Sequence, residues 1–400
     1  MKKILIVISN VGIGGAEKSL LSFLKSICAS QYAEQYRIHL MIVDPAGPFY
    51  KEIPQEIVKV EPSKELRWLG TAFGKEILQK HFSLKCLLAE IKWVLKNSLK
   101  VFPKKWSQQQ RLWECWKNVI PEYGEHYDVA VSYLEGYSSY YVMEKVSADK
   151  KVLWVHSEYQ KLRYDPVYDR PYYEMADAVV TISEKCKQCI LQEFPQCKEK
   201  VSVLPNITIQ QDVLKNSMLG DCREFAQEHC LKLLTVARLH PLKGVDIAVA
   251  AAKELKRADI DFCWLVVGDG PERETLQQQI TEQKLDSSMI LLGSRENPYV
   301  YMKHCDILVQ PSRVEGKSIV LDEAKVLCKP IVATNYTTVG DALVHGETGW
   351  IVDMTPQAVA QGILHLWRET ALRKHLSDNL MALPKSDETL LQQYIRSMFE

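Results

Sequence analysis

Ile307-Leu-Val-Gln-Pro311-Ser-Arg-Val-Glu315-Gly316-Lys317-Ser318-Ile-Val-Leu-Asp-Glu323-Ala324 is the most informative stretch of the 400-residue chain. Ile307–Val309 is a short, wholly apolar run that stops at a proline-containing turn, the pattern of a strand buried on both faces between helices. Beyond the turn, the spacing predicts a helix starting near Gly316. Its free N–H groups would favour an anion there, with Gly316, Lys317 and Ser318 lining the mouth beside Glu315. Glu323 would follow eight residues on, ~12 Å away at 1.5 Å per residue. Carboxylates accept hydrogen bonds from vicinal hydroxyls, so two at that separation suit a ligand with polyols at both ends. Taken alone, Glu323 reads as a solvated helix residue. A phosphate-binding P-loop is excluded, because its first glycine would fall at Pro311 and Glu315 would repel phosphate.

Similar runs recur along the whole chain. One set is Ile4–Ile8, Ile38–Val43, Val129–Ser132, Val152–Val155, Val179–Ile182 and Val201–Leu204. A second is Leu233–Val236, Phe262–Val267, Ile290–Leu292, Ile307–Val309, Ile331–Ala333 and Trp350–Val352. Most are separated by segments of helical length, which predicts α/β architecture with two doubly wound parallel sheets in tandem. The joint is expected at Leu204-Pro205-Asn206. This gives a first domain over 1–205, a second over 206–384, and a C-terminal helix over 385–400 packing back on the first. A ligand would lie in the crevice between the carboxyl ends of both sheets.

Composition sets further limits. Fifty Lys and Arg balance fifty Asp and Glu, so no whole-protein grip on nucleic acid is expected. Eleven scattered cysteines, an odd number, do not form a secreted disulfide framework. The apolar run after Met1-Lys2-Lys3 is too short for a signal peptide, and no stretch approaches the ~20 apolar residues of a spanning helix. A cytoplasmic protein is expected.

Several constellations could carry chemistry. Thr235-Val-Ala-Arg238-Leu-His-Pro241-Leu-Lys243-Gly244 closes a strand and continues into a helical turn. Arg238 and Lys243 would supply a fork and a point charge suited to a diphosphate, although both also read as ordinary surface cations. Gly268-Asp-Gly270-Pro271 reads as a structural strand-to-helix turn. After the first strand, Gly12-Ile-Gly14-Gly15-Ala-Glu17 places Glu17 where a dinucleotide fingerprint needs its third glycine, which disfavours a nicotinamide enzyme. Gly14 and Gly15 still let backbone approach a ligand. His156 ends the run Val152–Val155 and reads equally as a satisfied structural residue or a working one. Cys186-Lys-Gln-Cys189 lacks a second ligand pair, and Asp259-Ile-Asp261 precedes its strand, so no metal is expected.

One segment interrupts the first domain. Ser63–Asn118 holds twelve Lys and Arg against four Glu, and five of the nine tryptophans: Trp68, Trp93, Trp106, Trp113 and Trp116. Leu84–Leu99 has a helical apolar period with lysines between. Two readings stand: a helix pair capping the first sheet, or a surface helix on an anionic membrane with tryptophan rings at headgroup level.

Taken together, Gly14–Glu17, Val-Ala-Arg238 with Lys243-Gly, Val-Gly268-Asp-Gly-Pro-Glu272, Glu315-x7-Glu323 and Gly346-Glu-Thr-Gly349 resemble the retaining glycosyltransferases of family 4 (glycosyl transferases group 1). Order and spacing agree over about Leu233–Val352, and the N-terminal half matches at its first loop. The resemblance implies a GT-B fold, two Rossmann-like domains facing across a cleft. It implies a metal-independent hexosyltransferase without a cofactor, moving a sugar from a nucleotide-diphosphate sugar, a UDP-sugar above others, to a glycan or lipid-linked acceptor. In that family the first Glu contacts the donor sugar and the second the ribose, while the Arg and Lys hold the diphosphate. Glu315, Glu323, Arg238 and Lys243 take those roles by resemblance, and His156 resembles the histidine that members carry near the donor sugar. Lys317 stands where many members have an aromatic. Relatives of this kind build bacterial capsule, O-antigen or exopolysaccharide, which implies a cytoplasmic enzyme peripheral on the inner face of the membrane. A GT-B-fold sugar-nucleotide isomerase or phosphorylase, or a non-catalytic sugar-binding scaffold, are the competing readings.

Overall fold

A computed structural model describes residues 1–12, 14–70, 83–225, 230–383 and 387–400. Residues 71–82 of the basic segment, and the expected boundary at 384/385, lie outside them. The chain divides into two units, Met1–Ile207 with Asp387–Glu400, and Thr208–Ser386.

The first unit is built on strands β1 (Lys2–Asn10), β2 (Tyr36–Asp44), β3 (Val58–Val60), β4 (Tyr123–Ser132), β5 (Val146–Val155), β6 (Ala178–Thr181) and β7 (Val201–Val203). They form one parallel sheet in the order β3-β2-β1-β4-β5-β6-β7. The second unit holds β8 (Leu231–Val236), β9 (Phe262–Val267), β10 (Met289–Gly293), β11 (Ile307–Gln310), β12 (Ile331–Thr334) and β13 (Trp350–Val352). These are also parallel, in the order β10-β9-β8-β11-β12-β13. Strand order reverses between β1 and β4, and between β8 and β11. The loops beyond the carboxyl ends of those strands are where such sheets collect ligands.

Each sheet is buried on both faces. Along β1, Leu5 and Val7 join one apolar cluster while Ile4, Ile6 and Ile8 join another. Along β9, Phe262, Trp264 and Val266 face one way and Cys263, Leu265 and Val267 the other. Two covered faces are why these strands read as unbroken apolar runs. The strand missed from sequence, β3, is a three-residue edge strand whose central Lys59 is exposed, so it makes no such run.

The C-terminal helix Asp387–Phe399 covers one face of the first sheet. Leu391, Tyr394, Ile395, Met398 and Phe399 are buried in the same cluster as β1. The Tyr394 ring lies 5.3 Å from Phe23 and 5.0 Å from Trp154, and its hydroxyl donates to the Pro205 carbonyl at 2.9 Å.

The basic segment corrects one expectation. Ser107 and Gln110 form a reciprocal cap at the start of the helix Gln108–Trp116, which buries Trp113 and Trp116 fully. Trp68 is buried beside them, and Trp93 and Trp106 pack against the same cluster. Trp68, Trp113 and Trp116 are hydrophobic core and Trp93 and Trp106 are half-buried against it, so the five rings do not form a headgroup belt. The side of the helix Leu84–Ser98 that faces water is instead its leucine stripe.

Candidate functional site

In the second unit the site grows from the end of β11. Gln310 Nε2 donates to Glu315 Oε1 at 3.0 Å, and the Gln310 amide exchanges hydrogen bonds with Ser318 Oγ at 2.8 and 3.0 Å. Ser312 Oγ donates to the same Glu315 oxygen at 2.7 Å, and Lys243 Nζ lies 2.6 Å from the other. The Thr338 hydroxyl holds the Glu315 carbonyl at 2.8 Å. The Glu315 side chain is only 9% exposed. It is therefore a carboxylate oriented in advance, with both oxygens fixed before any ligand arrives.

Lys243 reaches Glu315 because Gly244 allows it. Gly244 has φ +63°, and a Cβ there would lie 2.0 Å from the Pro311 carbonyl oxygen. Only glycine tolerates both the left-handed backbone and that approach of the β8 loop to the β11 loop. Arg313 ties the same loops by forking onto Asp246 at 2.7 and 2.6 Å.

Arg238 lies two residues past the end of β8, on a loop clamped at both neighbours. Ala237 N–H donates to the Val267 carbonyl and Leu239 N–H to the Asp269 carbonyl, each at 3.0 Å. Gly268, at φ +142°, makes the clamp possible, since a Cβ there would sit 1.9 Å from the Ala237 oxygen. The structural reading of Gly268-Asp-Gly270 thus acquires a purpose. The Arg238 side chain is exposed and has no hydrogen bond or ion pair among the described residues. A fixed backbone carrying an unengaged guanidinium is suited to a phosphate-like anion.

Two expectations are corrected. The helix after β11 runs over Ile319–Val326, not from Gly316. Ser318 has extended backbone and its hydroxyl is engaged with Gln310, while Thr334 and Thr338 hold the preceding loop open. The ~12 Å spacing drawn from an all-helical path between Glu315 and Glu323 therefore does not apply. Nor is Glu323 solvated: it is 2% exposed and accepts from the Tyr299 hydroxyl at 3.1 Å. Lys317 pairs with Asp322 at 3.0 Å, and Lys325 holds the other Asp322 oxygen at 3.2 Å.

The first unit has a parallel arrangement. Gly14, in extended conformation, precedes the helix Gly15–Cys28, and Glu17 lies in its first turn. Across the switch point β4 leads into Glu135-Gly136, and the Glu135 carboxylate accepts the His156 backbone N–H at 3.1 Å. Burial pushes both Glu17 and Glu135 above the ordinary carboxylate range, and the charge of Glu135 adds to the rise at Glu17.

The His156 ring stacks on Trp154 at 5.3 Å and lies 5.0 Å from the Tyr133 ring. It is 9% exposed, and neither ring nitrogen has a hydrogen-bond partner among the described residues. Both nitrogens are also shut off from solvent, so the ring is neither a satisfied structural histidine nor open to a ligand in this arrangement. Burial lowers its pKa to about 3. That value lies below the ~6.5 of an unfolded chain, so no penalty exists above pH ~6.5; below it the unfolded chain alone binds the proton. Stability should fall by about 1.4 kcal/mol per pH unit from ~6.5 towards 3 on this account. Glu17 and Glu135 act in the opposite direction, so the comparison needed is with His156→Phe. Urea unfolding at pH 7.5 and 5 should show wild type losing about 2 kcal/mol more than the variant; equal losses would refute the buried neutral imidazole.

Sequence reading missed Gln310, Ser312, Thr338 and Glu135. The signal existed for Glu135, because both Glu135-Gly136 and Glu315-Gly316 follow the strand just across a switch point. Cys186, Cys189 and Cys197 are buried thiols, and burial raises all three. No group of three or more His, Cys, Asp or Glu among the described residues could hold a metal ion.

Residues 224–381 match the family model of glycosyl transferases group 1. An uncharacterised glycosyltransferase of Methanocaldococcus jannaschii is 34% identical over 149 residues, which are 36% of this chain and 41% of that one. The alpha-D-kanosaminyltransferase of Streptomyces kanamyceticus is 24% identical over 269 residues, 62% of this chain and 69% of that one. The first two curated relatives are matched over only 41% and 50% of their length. Among solved structures, Anabaena Alr3699/HepE in complex with UDP and glucose superposes with a TM-score of 0.70 at 18% identity, covering 99% of both chains. The fold is GT-B, and the match to the glycosyl transferases group 1 model lies within the second unit.

Proposed function

We propose that the protein is a retaining hexosyltransferase that moves a sugar from a nucleotide-diphosphate sugar to a glycan or lipid-linked acceptor, in bacterial surface polysaccharide synthesis. The observation that carries this reading is the pre-oriented Glu315 carboxylate, with Lys243 on it and unengaged Arg238 on the neighbouring clamped loop. The Anabaena structure was solved with UDP and glucose, which supports a UDP-sugar as donor.

In this mechanism Arg238 and Lys243 take the diphosphate, and Glu315 accepts a hydroxyl of the donor sugar. Charge developing on the leaving diphosphate is stabilised by cations already in place, so little reorganisation is needed and no metal is required. Glu323, buried beside Tyr299, is assigned to the ribose. For Gly14, Gly15 and His156 of the first unit the family resemblance alone supports a donor role; both ring nitrogens of His156 are shut off from solvent. The acceptor attacks on the face the diphosphate leaves, so no protein nucleophile is needed.

Thermal unfolding in a panel of nucleotide sugars tests donor binding. The correct donor should stabilise the protein by about 2.7 kcal/mol at a hundred times its Kd, with EDTA making no difference. A panel in which no nucleotide sugar raises Tm would refute the reading.

A further inference from the structure

The helix Leu84–Ser98 is packed with its most apolar side outward. At 100° per residue Leu84, Leu88, Ile91, Leu95 and Leu99 fall within an arc of about 80°. All five are exposed, from 45% at Ile91 to 72% at Leu99. The side turned to the protein is built from Cys86, Ala89 and Trp93, and it meets the helix Gln108–Trp116. Val101, at 60%, extends the apolar surface past the helix end. A continuous exposed stripe of large aliphatic side chains is costly in water and marks an interaction surface.

Charge decides what covers it. Lys85, Lys92 and Lys96 run along one flank of the stripe, and Lys100, Lys104 and Lys105 follow at its end, against Glu90 as the sole acid over 84–105. Lys85, Lys92, Lys100, Lys104 and Lys105 are exposed. A second copy laid on this stripe would bring two lysine rows together. An anionic bilayer instead offers hydrocarbon to the leucines and phosphate to the lysines, the arrangement of a helix lying in the membrane interface.

We propose that this stripe docks the protein onto anionic membrane, with Leu88, Ile91 and Leu95 entering the acyl boundary and the lysine row meeting headgroups. No described helix is long and apolar enough to cross the bilayer. The docking proposed is of a helix lying in the interface, and it stands independently of the transferase reading.

Co-sedimentation of the full chain with vesicles tests this. Phosphatidylcholine vesicles carrying phosphatidylglycerol should pellet the protein, and pure phosphatidylcholine should pellet much less. Leu88→Asp with Leu95→Asp should lower the bound-to-free ratio about tenfold or more, and so should Lys85, Lys92 and Lys100→Glu. Thermal unfolding should be unchanged in both, since these side chains are solvent-exposed. Wild type left in the supernatant with anionic vesicles would overturn the proposal, as would a leucine variant that sediments like wild type. A lipid-free dimer by light scattering that the leucine variant converts to monomer, without vesicle binding by wild type, would assign the stripe to a second copy instead.

Discussion

Replacing Glu315 by Gln should leave the fold intact and lower kcat/KM about 10²-fold or more, a loss of ~2.7 kcal/mol in transition-state binding. The amide keeps the size of the side chain, and its oxygen can still accept from Gln310 and Ser312. It removes the charge that strengthens a hydrogen bond from a sugar hydroxyl and that holds Lys243 at 2.6 Å. Both effects act where the site is only 9% exposed, so bulk water replaces neither. Thermal unfolding and nucleoside diphosphate binding report on the fold, and donor turnover reports on chemistry. Wild-type turnover in the variant would remove Glu315 from the mechanism.

The second large effect is expected from Arg238→Ala. The clamp on Ala237 and Leu239 uses backbone groups alone, so the substitution should not disturb the loop. Losing a charge-assisted contact of about 1.5–3 kcal/mol corresponds to roughly 10- to 100-fold weaker nucleoside diphosphate binding. Binding of the nucleoside alone should hardly change. Calorimetric titration of both ligands into both proteins makes the comparison, and equal losses for both ligands would show that Arg238 does not touch phosphate.

Much of this was legible in the sequence, for identifiable reasons. Strand segments covered on both faces carry unbroken apolar runs, so twelve of the thirteen strands announce themselves; the three-residue edge strand Val58–Val60, with exposed Lys59 at its centre, has no such run. Glu315, Lys243 and Arg238 were legible as charged residues on the loops after two apolar runs, but charge on a loop is ordinary, and the family resemblance is what singled them out. Gln310, Ser312 and Thr338 are ordinary polar residues, and only the fold shows that they converge on one carboxylate. The helix Leu84–Ser98 was legible as a helix, but periodicity cannot say which side is covered. Its neighbours bury the Cys86, Ala89 and Trp93 side and leave the leucines in water. The tryptophans misled because composition does not distinguish a ring in a core from a ring at an interface.

The central claim is sugar transfer from a nucleotide-diphosphate donor, and it is tested most directly by following that donor with purified protein by NMR in the presence of EDTA. Slow hydrolysis is expected even without an acceptor, giving nucleoside diphosphate and free sugar that first appears in the donor's own anomeric configuration. Glu315→Gln should abolish that release. A donor that stays intact across the whole panel of nucleotide sugars, or one converted into an isomeric nucleotide sugar without release of nucleoside diphosphate, would contradict the account.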